Sequence, residues 1–132
     1  MPITEILKKN ADFYPNDTAL VEINPQYEQQ KRMTWREYSL IEANPNHAYR
    51  NEITWGQFNK KANRLANFLF TRGIKKGDKV MLVLKRHYQF WFAMVALHKI
   101  GAVAIPATNQ LKEHDFVYRY RAAGVSAIVC TA

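Results

Sequence analysis

Apolar positions along the chain follow two different periods, and the switches between them mark most of the elements. Phe58, Ala62, Leu65, Ala66 and Leu69 recur at the three-and-four spacing of one helix face. Just ahead, Thr54-Trp55-Gly56-Gln57 has the spacing of a capping box, in which the hydroxyl and the Gln side chain each satisfy a free backbone N–H. Gly73 stands where a left-handed C-terminal cap belongs, so a helix is predicted from Trp55 to Arg72. A turn through Lys75-Lys76-Gly77-Asp78 then leads to Val80-Met81-Leu82-Val83-Leu84, apolar without alternation, which predicts a strand covered on both faces as in a parallel sheet. Tyr88 to Ile100 is apolar on nearly every side, and its length predicts a buried helix ended by Gly101. Ala102 to Ile105 reads as a second short buried strand stopped by Pro106. Leu111 to Ala123 reads as a third helix with Phe116 and Tyr120 on one face, and Val125 to Cys130 as a third strand.

The order α-β-α-β-α-β with short connections predicts an α/β fold, a partial parallel sheet with packed helices and right-handed crossovers. Three such strands leave a hydrophobic edge uncovered, so residues 53–132 are expected to be the first, incomplete part of an α/β subdomain. Residues 1–52 read as an irregular lead-in. Ile3 to Ala11 suits a short helix, Pro15-Asn16-Asp17 a turn, and Thr18 to Ile23 a strand broken by Asn24-Pro25. An echo at an offset of 20 residues runs through this region. Val21-Glu22-Ile23-Asn24-Pro25 resembles Ile41-Glu42-Ala43-Asn44-Pro45, and Met33-Thr34-Trp35-Arg36-Glu37-Tyr38 resembles Ile53-Thr54-Trp55-Gly56-Gln57-Phe58. Two copies are too few for a solenoid. The echo reads as a local duplication, whose capping box, Thr34 with Glu37, can start only a short helix before Pro45.

With 48% apolar residues in 132, the chain can bury a core and is too hydrophobic for a disordered tail. Its single cysteine, Cys130, excludes a disulfide framework and a Cys-rich zinc site. The start lacks the apolar core of a secretory signal, and the longest apolar stretch, Phe90 to Leu97, is far too short to span a bilayer. A cytoplasmic protein is expected. The net charge of +8 suits a polyanion partner, but the basic residues occur as scattered pairs, which makes nucleic acid an unfavoured partner.

Little of the familiar chemistry is present. Gly73 to Lys79 is one residue short of a P-loop, lacks the following Ser or Thr, and precedes a strand instead of a helix. His47, His87, His98 and His114 make no compact metal motif. Cys130, in an apolar strand, reads as a small core residue, and Tyr88, Phe90, Trp91 and Phe92 as core aromatics. One place stands out. Lys85-Arg86-His87 falls between the carboxyl end of a buried strand and a helix N-terminus, where open α/β sheets bind ligands. Cations beside the positive helix pole are unfavourable unless an anion joins them, so Lys85 and Arg86 are the candidate anion contacts, with a solvated basic turn as the plainer alternative.

Together these stretches resemble the N-terminal region of the adenylate-forming (AMP-binding) superfamily, most closely an acyl-CoA synthetase. Ile53 to Phe58 is similar to the family's "T-[YW]-x-[EQ]-[LF]" helix start, and Asn63 to Leu69 to its "a-n-r-l-A-x-x-L". Gly73 to Val80 is similar to "G-[IV]-x-x-G-D-x-V", and Ala96 to Pro106 to "A-x-x-k-x-G-A-v-x-x-P". The resemblance implies the N-terminal part of the large domain of a ligase that activates a carboxylic acid with ATP and Mg2+ as acyl-AMP, then passes the acyl group to CoA. It implies the rest of the large domain and a C-terminal domain as partners. The family's phosphate loop, Tyr-Gly-x-Thr-Glu segment, ribose-binding Asp and catalytic Lys have no match in residues 1–132, so no catalytic residue carries over and these residues alone are expected to be inactive. Two other readings are a free-standing basic α/β binding module, and a flavodoxin-like or response-regulator-like domain. The latter needs a ligand loop or acidic pocket where the basic segment after Leu84 stands.

Overall fold

A computed structural model describes residues 2–23, 35–44, 46, 50–84, 88–108 and 110–130. In chain order the elements are α1 (Ile3–Phe13), β1 (Thr18–Ile23), α2 (Trp35–Ala43), β2 (Arg50–Thr54), α3 (Trp55–Thr71), β3 (Lys79–Val83), α4 (Gln89–Lys99), β4 (Val103–Pro106), α5 (Glu113–Ala123) and β5 (Ala127–Cys130). They fall into two compact units, Lys9–Phe58 and Met1–Lys8 with Asn59–Ala132.

In the first unit β1 pairs antiparallel with β2, Leu20 opposite Ile53 and Ile23 opposite Arg50. β2 escapes the sequence patterns because Arg-Asn-Glu-Ile-Thr holds one apolar residue, Ile53, which is buried. The predicted turn is present, with Asp17 N–H donating to the Tyr14 carbonyl at 3.1 Å. That turn also caps α3: Trp55 N–H donates to Asp17 O and Gly56 N–H to Pro15 O, both at 3.0 Å. The capping box supplies the rest, Gln57 N–H to Thr54 Oγ1 at 3.2 Å and Thr54 N–H to Gln57 Oε1 at 3.0 Å. A Cβ on Gly56 would stand 3.0 Å from the Pro15 carbonyl oxygen, so glycine is what lets the turn approach.

The echo keeps its structure in one half only. Trp35 and Trp55 both open helices, yet Val21-Glu22-Ile23 is strand while Ile41-Glu42-Ala43 ends α2. Near-identical tripeptides adopt the conformation their pairing partner imposes. Thr34, whose hydroxyl was expected to cap α2, lies outside the described residues, as do Asn24, Pro25, Pro45 and His47.

In the second unit, β3 lies between β4 and β5, all parallel, with Met81 opposite Ile105 and Ile128. Both faces of β3 are covered, as its unbroken apolar run predicts. Val80 and Leu82 pack with Ala66 and Leu69 of α3 and with Ala93, Ala96 and Leu97 of α4. Met81 and Val83 pack on the opposite face with Ile105, Phe116 and Ala123. Gly73 caps α3 at φ +94°, with Ile74 N–H returning to Leu69 O and Gly73 N–H to Phe70 O, both at 3.1 Å. This is a Schellman motif, and Ile74 meets Leu69 in the same buried cluster.

Three expectations are corrected here. β4 and β5 are not buried strands: each has β3 as its only neighbour among the described residues, and Val103 and Ile128 remain 45% and 44% exposed. Cys130 is accordingly exposed instead of in the core, since it stands at the end of an outer strand, on the sheet face that meets α5, a helix with no fully buried residue of its own. In α4 the side facing β3 is buried, but Trp91 points away and is 53% exposed, so the aromatic cluster is core only in part.

Candidate functional site

The winding of the sheet singles out one place. From β3 the chain passes through α4 to β4 on one side, then returns through α5 to β5 on the other. The carboxyl ends of β3 and β5 therefore lie side by side, with Val83 opposite Cys130, at a topological switch of the kind where α/β sheets take ligands. Lys85, Arg86 and His87 follow directly after β3 but lie outside the described residues. The residues bracketing them are described. Leu84 is buried, and Tyr88 is already helical at φ −64° and ψ −23° ahead of α4, with no side-chain hydrogen bond capping the helix.

The glycine-containing segment before β3 is a turn. Asp78 N–H donates to Lys75 O at 3.0 Å, the Asp78 carboxylate accepts from Lys75 N–H at 2.9 Å, and Gly77 sits at φ +85°, the conformation a type II turn requires at its third residue. Gly77 N–H donates to Gly101 O at 3.0 Å. These amides are spent within the protein, which leaves them unable to cradle a phosphate. Among the described residues no three or more His, Cys, Asp or Glu side chains gather where a metal ion could be held. His98 is exposed, and His114 pairs with its neighbour Asp115 at 3.3 Å.

One polar cluster was not foreseen from the sequence. Lys99, in the last turn of α4, donates from Nζ to Asn59 Oδ1 at 2.7 Å and to Asn63 Oδ1 at 2.6 Å. The two asparagines are four apart and so share one face of α3. That spacing is the only local hint, because Lys99 itself is 36 and 40 residues away. Partial burial, and secondarily the charge of Lys8, hold the Lys99 ammonium below its ordinary pKa of 10.5. The unfolded chain therefore binds this proton more tightly than the folded one. The resulting penalty on folding is complete at pH values below the folded pKa and fades as pH rises toward 10.5. Lys8→Gln is expected to move the Lys99 pKa back part of the way, since burial remains, and an NMR titration of the Lys99 ammonium checks this. An unchanged pKa would show that Lys8 does not act on it.

Known proteins match this chain in sequence and in fold. The family model described as AMP-binding enzyme matches residues 40–132. Acyl-coenzyme A synthetase ACSM5, mitochondrial, of Rattus norvegicus is 39% identical over 74 residues, covering 55% of this chain and 13% of that protein. Crotonobetaine/carnitine–CoA ligase of Escherichia coli O157:H7 (strain EC4115 / EHEC) is 41% identical over 59 residues, covering 45% of this chain and 11% of that protein. The chain thus spans only a small part of these relatives' length. Among solved structures, a Mycobacterium tuberculosis fatty acyl CoA synthetase superposes with a TM-score of 0.71 at 24% identity, over 96% of this chain and 20% of its own. The Klebsiella oxytoca NpsA N-terminal subdomain in complex with 3-hydroxyanthranilyl-AMSN gives 0.71 at 23% identity, over 97% of this chain and 26% of its own. The strand-and-helix succession just described is therefore a fold shared with N-terminal domains of adenylate-forming enzymes. With the family match extending over more than two thirds of its residues, the chain belongs to the AMP-binding enzymes.

Proposed function

We propose that residues 53–132 are the first part of the large domain of an AMP-forming acid–thiol ligase of the acyl-CoA synthetase kind. The complete enzyme would join a carboxylic acid to ATP, release pyrophosphate, and pass the acyl group from acyl-AMP to CoA. Mg2+ and basic groups would offset charge on the transferring phosphates. The observation that carries this reading is the 39% identity to an acyl-coenzyme A synthetase together with the family match. In this reading the chain's own share of the work is structural. β3 anchors a sheet covered by α3 and α4 on one face and partly by α5 on the other, and β4 and β5 offer it to the rest of the large domain.

Independently of the resemblance, the sequence position of Lys85 and Arg86 after a buried strand makes them the candidate anion contacts, with a solvated basic turn as the plainer alternative, and the enzyme is read as cytoplasmic. Among the described residues no helix is long and apolar enough to cross a membrane. Three measurements test the proposal. A longer polypeptide containing this chain should exchange pyrophosphate into ATP only when a carboxylic acid is supplied; no exchange with short, medium-chain or aromatic acids would overturn the ligase reading. In that enzyme Lys85→Ala with Arg86→Ala should weaken binding of an anionic substrate, and unchanged affinity for all of them would remove the anion contact. Calorimetric titration of residues 1–132 with ATP and Mg2+ should show no tight binding, whereas micromolar affinity would put a nucleotide site inside this chain.

A further inference from the structure

The surroundings of the Lys99 amine are not those of a lysine that only holds two helices together. A part-buried ammonium is ordinarily neutralised by a carboxylate. Lys99 meets two neutral amides instead, 2.7 Å from Asn59 Oδ1 and 2.6 Å from Asn63 Oδ1, and among the described residues neither ion pair includes it. The charge that acts on it, Lys8 of α1, has its own sign. The two carbonyl dipoles do not offset burial and that repulsion, because the net effect still disfavours the ammonium. Geometry adds to this. Nζ has three positions beyond Cε, and N–H groups donating to the asparagines fill two of them. Loss of one proton therefore costs neither bond and puts the lone pair on the third position. Lys99 is half-buried and Asn63 exposed, so the amine stays within reach of solvent.

We propose that Lys99 is an acylation site, at which Nζ attacks the carbonyl carbon of an acyl thioester. The nitrogen lone pair forms the amide N–C bond, the C–S bond breaks with its electrons going to sulfur, and the proton passes from nitrogen through water to the departing thiol. The choice of donor rests on the ligase reading, in which the complete enzyme releases such a thioester; the reactivity of the amine does not. Desolvation and a neighbouring cation are what free a lysine to act as a nucleophile near neutral pH. As the pKa falls, the gain in free base outweighs the loss of intrinsic reactivity. Acylation also alters the packing of α3 on α4. The amide is uncharged and keeps one N–H, so it can hold only one of the two asparagines. Thioester accumulation would in this way loosen the link between the two helices.

Incubating the whole chain with S-acetyl-N-acetylcysteamine and mapping acetylated peptides by mass spectrometry tests the proposal. This thioester is uncharged, so the net charge of +8 does not steer it. At pH 8 Lys99 should be acetylated about threefold faster than Lys60, which is exposed on α3. Lys8→Gln should slow Lys99 about twofold and leave Lys60 unchanged. Asn59→Ala with Asn63→Ala should abolish the preference for Lys99. Lys8 is exposed, and far-UV circular dichroism matching the parent chain confirms that each variant is folded. Acetylation of Lys99 no faster than of Lys60, or an unchanged Lys99 rate in the folded variants, would overturn the proposal. The donor is supplied ready-made, so either failure leaves the ligase reading standing. Fast Lys99 acetylation in an enzyme without pyrophosphate exchange would support the site while that reading fell.

Discussion

Replacing Leu82 by alanine is expected to destabilise the chain by about 2–5 kcal/mol, the range for emptying a well-packed apolar site. Leu82 is fully buried in the middle strand and packs in the cluster that holds Ala66 and Leu69 of α3 and Ala96 and Leu97 of α4. Truncation therefore leaves a gap bounded by two helices and a strand, which cannot all move in together. Denaturant unfolding should show a lower midpoint with an unchanged slope. Ile128→Ala, on β5 and 44% exposed, should cost much less. Equal losses at the two positions would mean that β3 is not the central strand.

Ala96→Leu is expected to destabilise by about 1–3 kcal/mol even though it makes the chain more hydrophobic. Ala96 is fully buried on the side of α4 that faces β3, and the extra side-chain carbons have to displace neighbours already in contact. Area burial alone predicts the opposite sign, so this variant separates packing from greasiness. A rise in the unfolding midpoint would reveal unfilled space under α4.

Much of the fold was readable before any coordinates, because local signals and tertiary environment agree there. α3 has a periodic face, a capping box and a glycine at its end, and all three are realised. β3 has five apolar residues in a row from Val80 to Leu84, and both of its faces are covered. What could not be read depends on neighbours distant in sequence. Ala102 to Ile105 and Val125 to Cys130 are as apolar as β3, yet a strand's burial is decided by whether another strand lies beyond it. Trp91 belongs to an apolar run, but a helix seated on one sheet face still turns one side outward. β2 gave no signal because its place is set by pairing with β1, and the echoed tripeptides show the same override in reverse. The candidate site was legible in part. The buried strand that ends ahead of Lys85 and Arg86 followed from the pattern, although those two residues lie outside the described ones, while the Lys99–Asn59–Asn63 cluster arises only when α3 and α4 pack.

Amide hydrogen exchange on the whole chain probes the central claim most directly, namely a sheet whose middle strand is β3 and whose two outer strands, among the described residues, pair with β3 alone. The account predicts that the amides of Lys79–Val83 exchange slowest. In β4 and β5 only the amides that bond to β3 should be slow, Val103 and Ser126 leading each strand, with fast-exchanging residues between. Uniform protection along β5, equal to that of β3, would contradict it.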